Sequence, residues 1–211
     1  MSPHPARTLG AIFYDGFELL DSYGPLEMFG SLGPELVQIV TVAQTAGPVT
    51  SAQGPQTFVA HDFSSCPKLD LLLLPGGIGT LAQLGNEALH EFLRARARSV
   101  EVVMSVCSGS ALLAKAGLLD GRRATSNKQF FSLATSQSDQ VTWVEQARWV
   151  EDGPFVTSSG VSAGMDMALA VIAKLWGRAR AERVAAGTEY EWQTDPTHDP
   201  FHKYLNRAGA L

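Results

Sequence analysis

The segment Val100-Glu-Val-Val-Met-Ser-Val-Cys-Ser-Gly-Ser110, continued by Ala111-Leu-Leu-Ala-Lys-Ala-Gly117, decides how this chain folds. Val100 to Val106 is a nearly continuous apolar run of strand length, the pattern of a strand covered on both faces. Ser110 to Ala116 reads as a helix that Gly117 ends. A strand that passes into a helix through Cys107-Ser108-Gly109 needs a sharp turn, and the small residues around the cysteine let it close. This is a nucleophile elbow, with the reactive atom pushed out at the carboxyl end of a sheet. The following helix aims free N–H groups and its positive dipole end at the sulfur, which predicts a lowered thiol pKa. Burial of Cys107 as a small hydrophobe accounts for the apolar run but not for the Ser-Gly-Ser turn after it.

Working outward, apolar runs and helical patterns alternate, as in a parallel sheet with helices on both faces. Towards the N-terminus, strands are predicted at Leu9–Phe13, Val37–Val42 and Asp70–Leu74, and helices at Leu19–Phe29 and Asn86–Arg98. Pro25 belongs in a first helical turn, so the earlier helix is expected to become regular late. Gly47 to Ala60 reads as a hairpin or short added strands. Beyond the elbow come a short segment at Ala124-Thr125, a helix near Lys128–Leu133 and strands at Gln140–Trp143, Ala147–Val150 and Phe155–Ser158. Helices at Ala163–Trp176 and Ala179–Glu191 follow. No linker or repeat interrupts the chain, so residues 1–211 are expected to form one α/β domain, with a polar tail from Thr194.

Composition narrows the function classes. The 211 residues are 45% hydrophobic and 18% charged, an ordinary globular balance, with a net charge of −5. No block of Lys and Arg suits nucleic acid, and Arg94-Ala-Arg-Ala-Arg98 reads as a solvated helix face. Met1 to Arg7 has no apolar leader core, and Met165–Trp176 is too short to span a bilayer. Two cysteines, Cys66 and Cys107, make no disulfide framework. A cytoplasmic protein with no membrane or nucleic-acid partner is expected.

Three other groups could carry chemistry. Pro75-Gly76-Gly77-Ile78-Gly79 leaves the strand predicted beside the elbow; its glycines let backbone amides approach a ligand. The amides of Gly77 and Ser108 would together make an oxyanion hole, with Ile78 against the substrate. The loop matches neither a P-loop nor a dinucleotide fingerprint, and no cofactor is expected. Asp15, Glu18 and Asp21 follow the first strand; Asp21 either caps the next helix or moves a proton near the thiolate. His198 and His202 are separated by Pro200 and have no third ligand near, so no metal site is expected. Met165, Met167, Trp143 and Trp149 read as core, Cys66 as inert. Ser158 to Ser162 reads first as a helix cap and second as a pocket wall.

These motifs, in this order, resemble the ThiJ/PfpI superfamily over about Leu9 to Glu191. The resemblance rests on Leu74-Pro-Gly-Gly77, Ser105-Val-Cys-Ser-Gly-Ser110, Ala116-Gly-Leu-Leu-Asp-Gly121 and Ser159-Gly-Val-Ser-Ala-Gly-Met-Asp166. With Leu20-Asp-Ser-Tyr-Gly-Pro25 they look most like the isocyanide hydratase branch. The resemblance implies a flavodoxin-like three-layer sandwich with a mostly parallel sheet, related to class I glutamine amidotransferases, and a homodimer acting on a small molecule. It implies Cys107 as nucleophile and Asp21 as its acid–base partner, adding water to an isocyanide to give an N-substituted formamide. Relatives often carry histidine where this chain has Asn127, which hydrogen-bonds but is no base at neutral pH. That departure bears on the substrate. No helix-turn-helix extension follows before Leu211, so a fused regulator is not expected. The alternatives are a cysteine-based oxidative-stress sensor or chaperone-like protein, and a glyoxalase or deglycase acting on small aldehydes.

Overall fold

A computed structural model describes residues 5–207; Met1–His4, part of the segment read for a leader, and residues 208–211 lie outside it. Seven strands form a sheet: β1 (Arg7–Ile12), β2 (Val37–Ala43), β5 (His61–Asp62), β6 (Leu71–Leu74), β7 (Val102–Ser105), β10 (Trp149–Asp152) and β11 (Phe155–Ser158). Their order is β10-β11-β7-β6-β1-β2-β5. All neighbours are parallel except β10 and β11, a hairpin that places an antiparallel strand at one edge. The residues at Gly47–Ala60 make the separate antiparallel hairpin β3 (Gly47–Thr50) and β4 (Gln56–Val59), and β8 (Arg123–Ala124) pairs with β9 (Thr142–Trp143).

The helices are α1 (Leu19–Gly30), α2 (Thr80–Gln83), α3 (Glu87–Ala97), α4 (Gly109–Lys115), α5 (Phe131–Thr135), α6 (Ala163–Trp176) and α7 (Arg178–Gly187). They cover the sheet in two layers. On one face, leucines of α3 and α4 pack on alternate residues of the central strands. On the other, Met28 and Phe29 of α1 join the apolar stripes of α6 and α7. Leu71 to Leu74 are wholly buried, two towards each face, which is why β6 reads as an unbroken apolar run.

Several boundaries differ from the sequence reading. The helix at Leu19 is regular from the start, with Pro25 inside it. A proline there has no N–H for the Asp21 carbonyl; it is kept by burial where α1 packs on α6, against Gly164. The helix expected near Lys128 starts at Phe131, leaving Asn127 to Phe130 as loop. The strand expected at Gln140 spans just Thr142–Trp143, the one at Ala147 starts at Trp149, and α7 ends at Gly187.

Candidate active site

The winding of the sheet reverses at β1, which has β2 on one side and β6 on the other. Loops leaving the carboxyl ends of β1 and β6 therefore part and open a crevice. They are tied together by the Glu18 N–H to the Gly76 carbonyl (2.9 Å) and the Gly79 N–H to the Gly16 carbonyl (3.0 Å). Strand β7, next to β6, delivers Cys107 to the same crevice.

Cys107 has φ +58°, a left-handed conformation that costs a non-glycine residue roughly 1–2 kcal/mol. Neighbours hold it there. Its N–H donates to the Ser159 carbonyl (3.3 Å), and its carbonyl accepts from the hydroxyls of Ser110 (3.2 Å) and Ser126 (3.1 Å). The sharp strand-to-helix turn is thus present, with α4 beginning at Gly109.

Asp21 lies in the first turn of α1 and does not cap it; the N-cap is Glu18, which makes no side-chain capping bond. The fully buried Asp21 carboxyl accepts the Gly76 N–H through Oδ2 at 2.9 Å. Oδ1 has no well-formed hydrogen bond, although the Cys107 thiol stabilises the ionised carboxyl. Burial pushes Asp21 well above the ordinary carboxylate range, and the charge of Glu18 adds to the rise. Burial also pushes the Cys107 thiol up, followed by the charge of Asp21, against the Ser108 N–H and the Asn127 side chain. The lowering expected from α4 is therefore outweighed: desolvation and a carboxyl exceed what one N–H supplies. The two groups behave as a pair that keeps at least one proton through the neutral range.

The Gly77 amide, expected in an oxyanion hole, donates instead to Ser108 Oγ at 3.1 Å. Ser108 Oγ lies 2.9 Å from Thr80 Oγ1, Thr80 Oγ1 3.2 Å from the Tyr14 hydroxyl, and that hydroxyl donates to the Pro75 carbonyl at 2.7 Å. Tyr14 has one hydrogen and gives it to Pro75, so Ser108 donates to Thr80 and Thr80 to Tyr14. Close approach explains the glycine beside this chain: a methyl on Gly76 would lie 2.5 Å from the Ser108 nitrogen and 3.0 Å from Cys107 Cβ.

A cavity of about 330 Å³ stands over the sulfur, lined by Gly77, Ile78, Cys107, Ser108 and Asn127. All six predicted site residues thus meet, Asp21 buried beneath and the other five around the opening. The sequence reading missed Ala52, Leu81, Gln129, Phe130 and Leu133, which with Glu18 and Val161 complete the lining. Gln129, Phe130 and Leu133 arrive because α5 starts late, Leu81 comes from α2 and Ala52 from the β3–β4 turn; in so short a helix, the pair Phe130-Phe131 could have signalled one exposed ring. Phe130 is half exposed while Phe131 is buried. Asn127 Oδ1 accepts the Phe130 N–H at 3.1 Å, leaving the amide nitrogen for the crevice. Ser158 to Ser162 proves to be wall rather than cap, since Ser162 makes no capping bond. A methyl on Gly160 would meet the Asn127 amide nitrogen and lie 2.9 Å from Cys107 Sγ.

Behind this wall is an ionic cluster that the sequence reading also missed. Arg148 Nε donates to Asp166 at 2.6 Å, and Asp199 lies 3.7 Å from Arg148 and 3.8 Å from Lys128. Asp199 belongs to the polar tail, which carries a 3-10 helix at Pro200–Tyr204. Phe201 and Tyr204 of that helix line a second cavity, of about 390 Å³, that shares Asn127, Gln129 and Val161 with the first. Cys66 is a buried thiol whose pKa burial raises, as expected of an inert cysteine. Among the described residues no group of three or more His, Cys, Asp and Glu could hold a metal ion.

The isonitrile hydratase of Pseudomonas putida is 35% identical over 185 residues, 88% of this chain and 79% of the relative. The HTH-type transcriptional regulator GbdR of Pseudomonas aeruginosa is 29% identical over 189 residues, with the chain spanning 51% of its length. Among solved structures, a ThiJ/PfpI family protein from Pseudomonas syringae superposes with a TM-score of 0.80 at 33% identity, over 90% of this chain and 78% of the other. The pattern of the DJ-1/PfpI family matches residues 7–174. With this sheet order, this elbow and these relatives, the chain belongs to the DJ-1/PfpI family.

Proposed function

We propose that the protein is a cysteine-dependent isocyanide hydratase. The observation that carries the reading is the buried Asp21 beside Cys107, a carboxyl raised by desolvation so that it holds a proton where an acid is needed. The 35% identity to an isonitrile hydratase supports the substrate class.

In the proposed reaction the Cys107 thiolate forms a bond to the terminal isocyanide carbon, and Asp21 delivers a proton to that carbon. The product is a thioimidate. Water then adds to the same carbon, giving one proton to the Asp21 carboxylate and one to nitrogen. Expulsion of the thiolate breaks the C–S bond and releases the N-substituted formamide, with one water consumed. The Ser108 N–H and the Asn127 amide stabilise sulfur when it carries charge, in keeping with their effect on the thiol. The Gly77 amide has no such role while it is bonded to Ser108.

A peroxide sensor relies on an accessible, low-pKa thiol. Cys107 is buried and burial raises its pKa, which counts against a peroxide sensor. The test is conversion of para-nitrophenyl isocyanide to its formamide by wild type and Cys107→Ala. Turnover by wild type and none by the variant is expected; equal rates, or none with wild type, overturn the reading.

A further inference from the structure

Among the described residues lining the cavity over Cys107, Glu18 is the one acidic or basic side chain apart from the thiol itself. It is half-buried, and its position is set on both sides. Its N–H is bound to the Gly76 carbonyl, and its carboxylate accepts the Gln53 amide at 2.6 Å. Gln53 sits in the turn between β3 and β4, and its Oε1 accepts the Leu19 N–H at 3.3 Å. The Ala52 N–H fastens that turn to the Phe17 carbonyl at 2.8 Å. Glu18 is therefore held at the opening.

Among the described residues the rest of the lining carries no cation. It includes Leu81, Phe130, Leu133 and Val161, with the amides of Asn127 and Gln129. The nearby cation, Lys128, lines the second cavity, and its ammonium is spent on the Ala147 carbonyl (2.7 Å), Thr125 (2.9 Å) and Asp199. A carboxylate against low-dielectric walls projects a field that water screens poorly. Both Asp21 and Cys107 already respond to it.

We propose that Glu18 determines specificity, making the cavity accept electrophiles whose apolar body is neutral or bears an ammonium group and reject those bearing a carboxylate, sulfonate or phosphate. As a statement about isocyanides this rests on the hydratase reading; as a statement about access to Cys107 it rests on the geometry.

The experiment uses the full chain with Cys66→Ser, leaving Cys107 as its one thiol. Two methanethiosulfonate reagents are compared, one with a trimethylammonium-ethyl and one with a sulfonatoethyl group. In each, the thiolate forms an S–S bond to the sulfenyl sulfur while methanesulfinate leaves with the electron pair. The cationic-to-anionic rate ratio, relative to that of 2-mercaptoethanol, is expected to be about tenfold or more at low ionic strength and to shrink with salt. Glu18→Gln should remove most of that preference; Glu27→Gln, exposed on α1, should leave it. A ratio unmoved by Glu18→Gln in a folded variant overturns the proposal. So does a wild-type ratio that salt leaves unchanged, a measurement that needs no variant. In a parallel series, 4-carboxyphenyl isocyanide should show a lower kcat/KM than the 4-aminomethyl compound, with Glu18→Gln narrowing the gap. Loss of all isocyanide turnover with the reagent ratio intact would remove the hydratase reading and leave the charge selection standing.

Discussion

Asp21 is buried beside Cys107 at a cost in desolvation. A carboxyl whose pKa is raised on folding stabilises the protein below its unfolded pKa, and that contribution is lost as pH rises through the folded value. Asp21→Asn keeps an acceptor for the Gly76 N–H but never ionises. The variant is expected to melt at a higher temperature than wild type at neutral pH, and the difference should vanish below the unfolded carboxylate pKa. Its kcat should fall by about 10² to 10⁴ for want of an acid. The Cys107 thiol should titrate at lower pH, because a carboxylate that raised it is gone; thiolate absorbance reads this directly. At Gly76 the constraint is steric, and the facing atom is backbone that cannot step aside. Gly76→Ala should cost about 1–3 kcal/mol in denaturant unfolding and reduce turnover by displacing Ser108.

Among the elements, the tail from Thr194 does more than its composition suggests. The Arg148 N–H donates to the Pro196 carbonyl (2.8 Å), the Asp199 N–H to Gln146 (2.9 Å), and the Asn206 N–H to Lys128 (2.8 Å). Asp199→Ala would leave Lys128 and Arg148 short of a buried counter-charge and should cost about 3 kcal/mol or more by chemical denaturation. Burial lowers the Lys128 pKa to about 8, against the pull of Asp199. A lysine so lowered is protonated in the unfolded chain over a range where the folded protein has released the proton. Its contribution therefore grows with pH from about 8 to about 10.5, by up to about 3 kcal/mol. Comparing unfolding of wild type and Lys128→Met across that range isolates the effect, because the tyrosines titrate alike in both. A gap between them that stays constant with pH would count against it. Strand β6 makes a simpler case: Leu73→Ala should cost about 2–5 kcal/mol, since the residue is wholly buried within the sheet.

For the whole molecule, no described helix is long and apolar enough to cross a membrane. Three of the exposed apolar side chains lie on α1 and the β3–β4 hairpin. Leu20 and Tyr23 of α1 are 41% and 45% exposed, and Phe58 on β4 is 76% exposed. The Tyr23 hydroxyl touches Thr57 Oγ1 at 2.7 Å, joining helix and hairpin into one surface. A second copy of the chain is expected there. Light scattering should give twice the 22.6 kDa chain mass, and Phe58→Asp should give the monomer.

The sequence by itself determined the elements whose cause is local or repetitive. The leucine run of β6, the apolar run into Cys107 and the alternation of strand with helix state burial and period directly, so the layers and the elbow were legible. Asp21, Gly77, Ile78 and Ser108 were legible as members of loops at strand ends, where a parallel sheet gathers its chemistry, and Asn127 through the family resemblance alone. Tertiary structure alone decided what those residues do to one another. It turned the Gly77 amide onto Ser108, raised a thiol that the helix end would have lowered, and made Asp21 a buried partner instead of a cap. It also laid Asp199 between two cations that precede it by 71 and 51 residues. Desolvation, close approach and charge pairing depend on distances through space, which a linear pattern does not carry. Cys107 was found by its neighbours in sequence; its proton is governed by residues that folding brings to it.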